Sequence, residues 1–230
     1  MFLYNPFDPL FLALVMPAIL FSMWAQFQVQ NSFKKYSQQL TSKRLTGAQA
    51  ARAVLDDAGV IGVGIERVAG TLTDHFDPRT NVIRLSDAVF DSTSVAAVGV
   101  AAHEAGHAIQ YANKYGPMKL RAAIIPVTNI GSKLSMPLVL IGLFMDMTGL
   151  INIGILLFGT VVLFQLVTLP VEFNASRRAI KILDRSALLT RDEVPASKKV
   201  LTAAALTYVA ALAVSLAQLL RLVLRARARR

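Results

Sequence analysis

Long apolar runs separate polar segments along this 230-residue chain. The first run extends from about Pro9 to Phe27, with Trp24 near its end. About 20 apolar residues cross the hydrocarbon core of a bilayer, and Trp is enriched at the membrane interface. A cleavable signal peptide needs basic residues before its apolar run, and no Lys or Arg precedes this one. We therefore expect residues 1–27 to form an uncleaved N-terminal transmembrane anchor.

The second half of the chain contains two more apolar blocks. The block over residues 122–170 is too long for one span, and the polar sequence at 145–149 divides it, so it predicts a transmembrane hairpin. A basic stretch follows at 171–199. Residues 200–230 form a last hydrophobic segment that ends in an arginine-rich tail.

Residues 28–121 are polar and mixed in charge, which is typical of a domain outside the membrane. Within it, the spacing of apolar residues from Leu45 to Ala58 predicts a short amphipathic helix. Thr46 is a suitable N-cap for this helix, and Gly59 is a suitable end.

Strands and a second helix are predicted further along the same domain. Val63–Val68 and Asn81–Leu85 alternate between apolar and polar residues like strands, and turn-forming residues occupy 77–81. The second helix is expected to begin near residues 91–93 and to run through Val95 to about Ala112, and the Gly-Pro pair at 116–117 is expected to end it.

Composition supports a membrane protein. Hydrophobic residues make up 54% of the chain and charged residues 17%, with a mean hydropathy of +0.51. Soluble domains have about 45–50% hydrophobic residues and about 25% charged residues. The net charge of +10 predicts contact with anionic lipid rather than nucleic acid, because apolar spans are present. The chain has no Cys, which excludes disulfides and Cys-bound zinc. Any metal must therefore be held by His and carboxylates.

The distribution of Lys and Arg predicts the orientation in the membrane. Residues 28–133 contain 12 of them and residues 171–199 contain 7, while none precedes residue 28. Both segments are therefore expected in the cytoplasm, with the N-terminus outside. Four spans would place the five arginines from Arg221 onward outside, against this rule. Either the last segment lies on or re-enters the membrane, or the tail is tolerated.

His103, Glu104 and His107 form the pattern His-Glu-x-x-His inside the second predicted helix. Residues four apart lie on one face of an α-helix, so both imidazoles can reach one zinc ion. Glu104 is then placed to accept a proton from a water that the metal activates. Two His on a helix can also be surface residues or satisfied core residues, but only three His occur in the chain. The pattern predicts one zinc ion per chain, with Glu104 as the general base.

Zinc catalysis needs a third protein ligand and an open coordination position. Glu172 directly follows an apolar block and is the strongest candidate. A Glu at the start of a helix is often a capping or solvated residue instead, and His75 is the remaining His. We expect Glu172 to be the third ligand, on a helix within the 171–199 segment.

Three stretches of the chain resemble one family. Residues 73–79 (TDHFDPR), 99–110 (GVAAHEAGHAIQ) and 169–178 (LPVEFNASRR) are similar to the membrane-bound neutral zinc metallopeptidases called YugP-like, and the resemblance covers nearly the whole chain. It implies a mainly α, multi-span helical membrane protein with a gluzincin-like zinc-peptidase domain that contains a small β element.

A more distant resemblance is to the HtpX and CAAX-prenyl-protease peptidases. It implies a Glu as third ligand, in agreement with Glu172, and an Asp four residues later that orients a histidine. This chain has Ser176 at that position. Asp87, Asp91 and Asn174 are therefore candidates for orienting the histidines.

A zinc peptidase also stabilises the oxyanion that forms from the scissile carbonyl. His75, Tyr111, Arg177 and Arg178 are candidates for this role, although His75 is equally explained as a polar residue next to a turn. The strand expected at 70–76 could pair with a peptide substrate; structural pairing with a neighbouring strand explains the same pattern.

The sequence thus predicts a zinc-dependent endopeptidase that acts on peptides or proteins at the surface of a bacterial plasma membrane, with the active site facing the cytoplasm. An intramembrane protease is an alternative, but polar residues on both sides of the motif leave only about 15 unbroken apolar residues where a span needs about 20. A zinc-binding scaffold or transporter is a third interpretation. Its spans should contain ionisable residues, and Asp146 is nearly the only one, at the expected turn. No nucleic acid partner is expected, and the sequence gives no signal for oligomeric state.

Overall fold

Helix-forming apolar residues dominate the chain, and the computed structural model, which describes residues 8–228, is built mostly from helices. A π-helical turn at Phe11–Val15 leads into the first α-helix. In chain order the elements are α1 (Met16–Ser37), α2 (Gly47–Asp57), β1 (Gly64–Val68), β2 (His75–Asp77), β3 (Val82–Ser86), α3 (Asp87–Phe90), α4 (Val95–Ala112), α5 (Gly116–Phe144), α6 (Thr148–Arg185) and α7 (Val194–Arg227). The expected mainly α architecture with a small β element is confirmed.

Four helical segments among the described residues are long and apolar enough to cross a membrane: Phe11–Ser37, α5, α6 and α7. The number of spans therefore agrees with the sequence prediction. Helix α4, which contains the two motif histidines, is not one of them.

The described residues divide into two compact units. The first, here called the membrane unit, comprises residues 8–26, 119–169 and 207–228. The second, here called the domain unit, comprises residues 27–118 and 170–206.

Within the membrane unit, α5 and α6 form the predicted hairpin. The turn between them contains Asp146, whose φ of 53° lies in the left-handed region. The two helices approach closely because Gly154 has no side chain: a Cβ there would lie 2.7 Å from the carbonyl oxygen of Ser135.

Two helices are longer than the sequence pattern predicted. Helix α1 continues ten residues beyond Phe27 to Ser37, because no Gly or Pro interrupts its polar second half. Helix α6 continues through Pro170 to Arg185, so Glu172 lies inside a long helix and not at the start of a new one. Proline removes one backbone donor and strains the turn before it. Burial of the flanking residues Thr168 and Val171 outweighs this local cost.

Helix α4 begins at Val95, slightly after the predicted start, and ends at Ala112 as predicted, but Gly116 and Pro117 are not what ends it. The amide of Tyr115 donates to the carbonyl of Gln110 at 2.9 Å, which closes the terminus. Gly116 and Pro117 instead begin α5. Proline suits the first turn of a helix, because its missing N–H has no acceptor within the helix there.

In the domain unit, three strands form a sheet in the order β1-β3-β2, with β1 parallel and β2 antiparallel to β3. The sequence predicted β1 and β3 closely, whereas β2 is shorter than the expected strand at 70–76. Helix α2 begins where predicted, with a capping box between Thr46 and Gln49.

The hydrophobic core of the domain unit surrounds α4. The first half of α4 is almost entirely buried against side chains such as Val54, Leu55, Ile83 and Leu85, all of which have no exposed surface. Its small residues let neighbouring elements approach closely. The motif histidines, His103 and His107, are therefore attached to a helix that is firmly packed in the core of the unit.

Candidate metal centre

Helix α4 presents His103 and His107 on one face, one helical turn apart. Their Nε2 atoms lie 3.1 Å from each other, and the two rings meet edge to face with centroids 4.7 Å apart. His107 is buried and His103 is half-buried. The predicted proximity of the two imidazoles is therefore present in the fold.

Helix α6 brings Glu172 to the same point. Its Oε2 atom lies 3.3 Å from Nε2 of His103 and 3.4 Å from Nε2 of His107, and the residue is 3% exposed. All three residues belong to the domain unit. The structure thus places the predicted third ligand beside the two histidines.

Gly106 of the motif is what lets α6 approach α4. A Cβ at Gly106 would lie 2.6 Å from the carbonyl oxygen of Ala175, closer than any real contact. Because Ala175 is one helical turn from Glu172, this crossing sets how far the carboxylate reaches towards the histidines.

The three donor atoms fit a tetrahedral metal ion. Zinc binds His nitrogen and carboxylate oxygen at about 2.0–2.1 Å, which places neighbouring donors of a tetrahedron about 3.3–3.4 Å apart. The observed separations are 3.1, 3.3 and 3.4 Å. Two neutral imidazoles with one carboxylate are also a donor set that zinc prefers, and the fourth position of such a tetrahedron stays available.

Each histidine also has a partner at its second nitrogen. Nδ1 of His103 lies 3.0 Å from Oγ of Ser176, and Nδ1 of His107 lies 3.1 Å from Oε1 of Gln110. With its proton on Nδ1, an imidazole keeps the lone pair of Nε2 for a metal. Gln110 was not predicted as a site residue: its position three residues after His107 places it on the same helix face, but its acceptors on α6 are not evident from the sequence.

The expectation that Asp87 or Asp91 orients a histidine was wrong. Both carboxylates pair with Arg67. Asn174 acts on His107 only through Gln110: its Oδ1 accepts from Nε2 of Gln110 at 3.0 Å and from Nε of Arg178 at 2.7 Å.

The electrostatic environment favours a cation. Burial lowers the pKa of His107, but the hydrogen bond to Glu172 and the negative charge of Glu104 outweigh burial and raise the pKa above its ordinary value. A site that attracts a proton in this way also attracts a metal ion.

Glu104 is buried at the first turn of the motif, with 8% of its surface exposed. Its charge acts on His107 and also on Asp74. Burial is the main cause that raises the pKa of Asp74, while hydrogen bonds from Ser86 oppose the shift. Asp74 was not predicted as a site residue, although it lies in the 73–79 stretch that carries the family resemblance.

The oxyanion candidates occupy different environments. His75 is exposed, and its Nδ1 lies 2.8 Å from the carbonyl oxygen of Thr73. Tyr111 is half exposed, with its ring 5.8 Å from that of Phe76 on β2. Arg177 is exposed, whereas Arg178 is held by Asn174.

Comparison with known proteins identifies one family that the chain matches. The family described as "Putative neutral zinc metallopeptidase" matches residues 11–227. The chain is 48% identical to the "Putative membrane protease YugP" of Bacillus subtilis (strain 168) over 215 residues, which cover 94% of this chain and 96% of that protein. No solved structure matches the chain.

Proposed function

Because the chain belongs to the zinc metallopeptidase family that matches almost its full length, we propose that it is a membrane-anchored, zinc-dependent endopeptidase. The observation that carries this proposal is the triangle of His103, His107 and Glu172, whose donor atoms lie 3.1–3.4 Å apart. In the proposal these residues hold one zinc ion per chain. A bound zinc ion would act as a Lewis acid that acidifies water and polarises the scissile carbonyl.

Glu104 has the position of the general base in this proposal. It is the neighbour of a ligand but lies about 100° around the helix from His103, so it can serve the reaction without serving as a ligand. Its carboxylate would accept a proton from the attacking water and then give that proton to the leaving amine. Its burial excludes bulk water, which favours direct proton transfer between Glu104 and the reactants.

The geometry supports a reaction at the membrane surface. The histidines belong to α4, which is not one of the four candidate spans, and the domain unit contains all three proposed ligands. By the distribution of Lys and Arg, this unit lies on the cytoplasmic side of a bacterial plasma membrane. Substrates would then be cytoplasmic peptides or proteins, or segments that emerge from the bilayer.

Hydrolysis of a loosely folded protein is the test of this proposal. Detergent-purified full-length protein should cleave casein, lose this activity when a chelator removes zinc, and regain it when zinc is restored. His103→Ala and His107→Ala variants should remain inactive after the same zinc addition. A protein that holds zinc but cleaves neither casein nor a peptide pool would favour the scaffold interpretation.

A further inference from the structure

The side chain of Gln110 links the two helices that carry the proposed ligands. It is fully buried on α4, three residues after His107. Its Nε2 donates to the carbonyl oxygen of Val171 at 2.8 Å and to Oδ1 of Asn174 at 3.0 Å, both on α6. Its Oε1 faces Nδ1 of His107 at 3.1 Å.

These contacts fix which way the amide points. A primary amide has two N–H donors and one acceptor oxygen, and both donors of Gln110 face oxygens on α6. If the amide turned over, its oxygen would face two acceptors and both hydrogen bonds would be lost. Buried polar groups without partners are unfavourable, so the observed orientation of the amide is the stable one.

The amide orientation in turn fixes the proton on His107. Oε1 can only accept, so Nδ1 of His107 must carry the hydrogen. In the neutral ring, Nε2 of His107 therefore carries the lone pair, on the side that faces Glu172 and His103, as a metal ligand requires. His103 is different, because the hydroxyl of Ser176 can either donate or accept and does not by itself select a tautomer.

The network extends one residue further. Oδ1 of Asn174 accepts from Gln110 and from Nε of Arg178, at 3.0 and 2.7 Å. The guanidinium of Arg178 also lies 6.0 Å from the ring centre of Tyr115. Arg178 therefore holds the amide of Asn174 with its oxygen turned towards Gln110.

We infer that Gln110, supported by Asn174 and Arg178, is a positioning residue that locks His107 in its metal-binding tautomer and ties it to the helix of Glu172. This inference rests on the proposed zinc site. Groups that orient a metal-bound histidine typically contribute about 10–100-fold to metal affinity or activity.

Zinc affinity measured by chelator competition on full-length protein tests the inference. Gln110→Met keeps the size of the side chain and removes its hydrogen bonds, so the zinc dissociation constant should rise about 10–100-fold. Ser176→Ala should raise it less, because Ser176 does not select a tautomer. Asn174→Leu should weaken zinc binding, whereas Asn174→Asp should preserve affinity, since its carboxylate still accepts from both neighbours.

Two adjacent arginines give a matched control. Arg178→Met should weaken zinc binding, while Arg177→Met, at an exposed neighbouring position, should not. A second measurement reports the tautomer itself. The chain has three histidines, so ¹⁵N-histidine spectra of the zinc-free protein can resolve His107. At a pH high enough for the ring to be neutral, His107 should be protonated at Nδ1 in the wild type and should show a mixture of tautomers in Gln110→Met.

Three outcomes would overturn the inference. Equal zinc affinities for the wild type and Gln110→Met would overturn it alone and leave the proposed peptidase intact, as would an unchanged tautomer. If the His103→Ala and His107→Ala variants bound zinc as tightly as the wild type, the proposed zinc site would be overturned together with this inference.

Discussion

The carboxylate oxygen Oε2 of Glu172 lies 3.3 Å from Nε2 of His103, although 68 residues separate the two in the sequence. Glu172→Gln replaces a charged oxygen donor by a neutral amide of the same size. We expect purified Glu172→Gln protein to retain much less zinc than the parent, measured as zinc per chain by mass spectrometry. Glu66→Gln, an exposed substitution in β1, is the control and should retain zinc. Unchanged zinc in folded Glu172→Gln protein would point to His75 or an aspartate as the third ligand.

The crossing of α4 and α6 at Gly106 gives a second prediction. Gly106→Ala should push the helices apart and move Glu172 away from the histidines, because the new Cβ would lie 2.6 Å from the carbonyl oxygen of Ala175. Such overpacking typically costs about 1–3 kcal/mol, so both the unfolding temperature and the zinc content should fall. Gly159→Ala in α6 makes the same change at a position where no atom lies within 4 Å of the new Cβ. This control should lower neither the unfolding temperature nor the zinc content. Full zinc binding by Gly106→Ala would mean that the crossing does not set the ligand geometry.

The buried carboxylate of Glu193 makes the free energy of unfolding depend on pH. Its Oε1 accepts from the amide and hydroxyl of Ser42 at 2.7 Å each, and its Oε2 accepts from the amide of Thr190 at 2.8 Å. Burial would raise the pKa of Glu193, but these hydrogen bonds hold the pKa below its ordinary value of 4.5. The stabilisation is therefore complete above about pH 4.5 and is lost as the pH falls through the lower, folded-state pKa.

We expect Glu193→Gln to lower the free energy of unfolding at pH 7 by about 1.5–3 kcal/mol, the usual contribution of hydrogen bonds to a charged group. The difference from the parent should shrink as the pH falls below 4.5. Denaturant unfolding at several pH values checks this, with Asp192→Asn at the exposed neighbouring position as control. A difference that stays constant down to the acid limit would show that the ionised carboxylate is not what stabilises this contact.

The two ends of the membrane unit are joined by a buried ion pair. Arg221 donates to Oδ2 of Asp8 at 2.7 Å, and the two side chains are 3% and 7% exposed. This pair brings the start of the first span and the end of α7 to one side of the membrane, so α7 should cross the bilayer. If the N-terminus is outside, as proposed, we expect the end of α7 to be outside as well, despite the usual preference of arginines for the cytoplasm.

Thiol labelling checks this topology, since the chain has no cysteine. Cysteines introduced at the exposed positions Pro9 and Ala228 should react with an impermeant reagent in intact cells. A cysteine at exposed Thr80 of the domain unit should react only after lysis. Labelling of Thr80→Cys in intact cells would show that the orientation is the opposite of the one proposed. If only one of the cysteines at positions 9 and 228 reacted in intact cells, the ion pair between Asp8 and Arg221 would be contradicted.

The sequence predicted much of the fold, because the signals were local. Apolar runs identified the spans, and Thr46 identified the start of α2. The His-Glu-x-x-His spacing required two imidazoles on one helix face, which α4 provides. The continuity of α6 through Pro170 could not be predicted, because packing overrides the local cost of a proline. Gln110 was missed for a related reason: its role depends on acceptors on α6, and no local pattern shows which helices will cross.

A Glu104 variant separates proton transfer from metal binding, because Glu104 takes part only in proton transfer in the proposed mechanism. Glu104→Gln should keep the parent's zinc content and unfolding temperature while the rate of casein cleavage falls about 10²–10⁴-fold, the usual contribution of a general acid–base residue. His103→Ala, measured in parallel, should lose zinc and activity together. Cleavage by zinc-loaded Glu104→Gln at the parent's rate would show that Glu104 is not the general base.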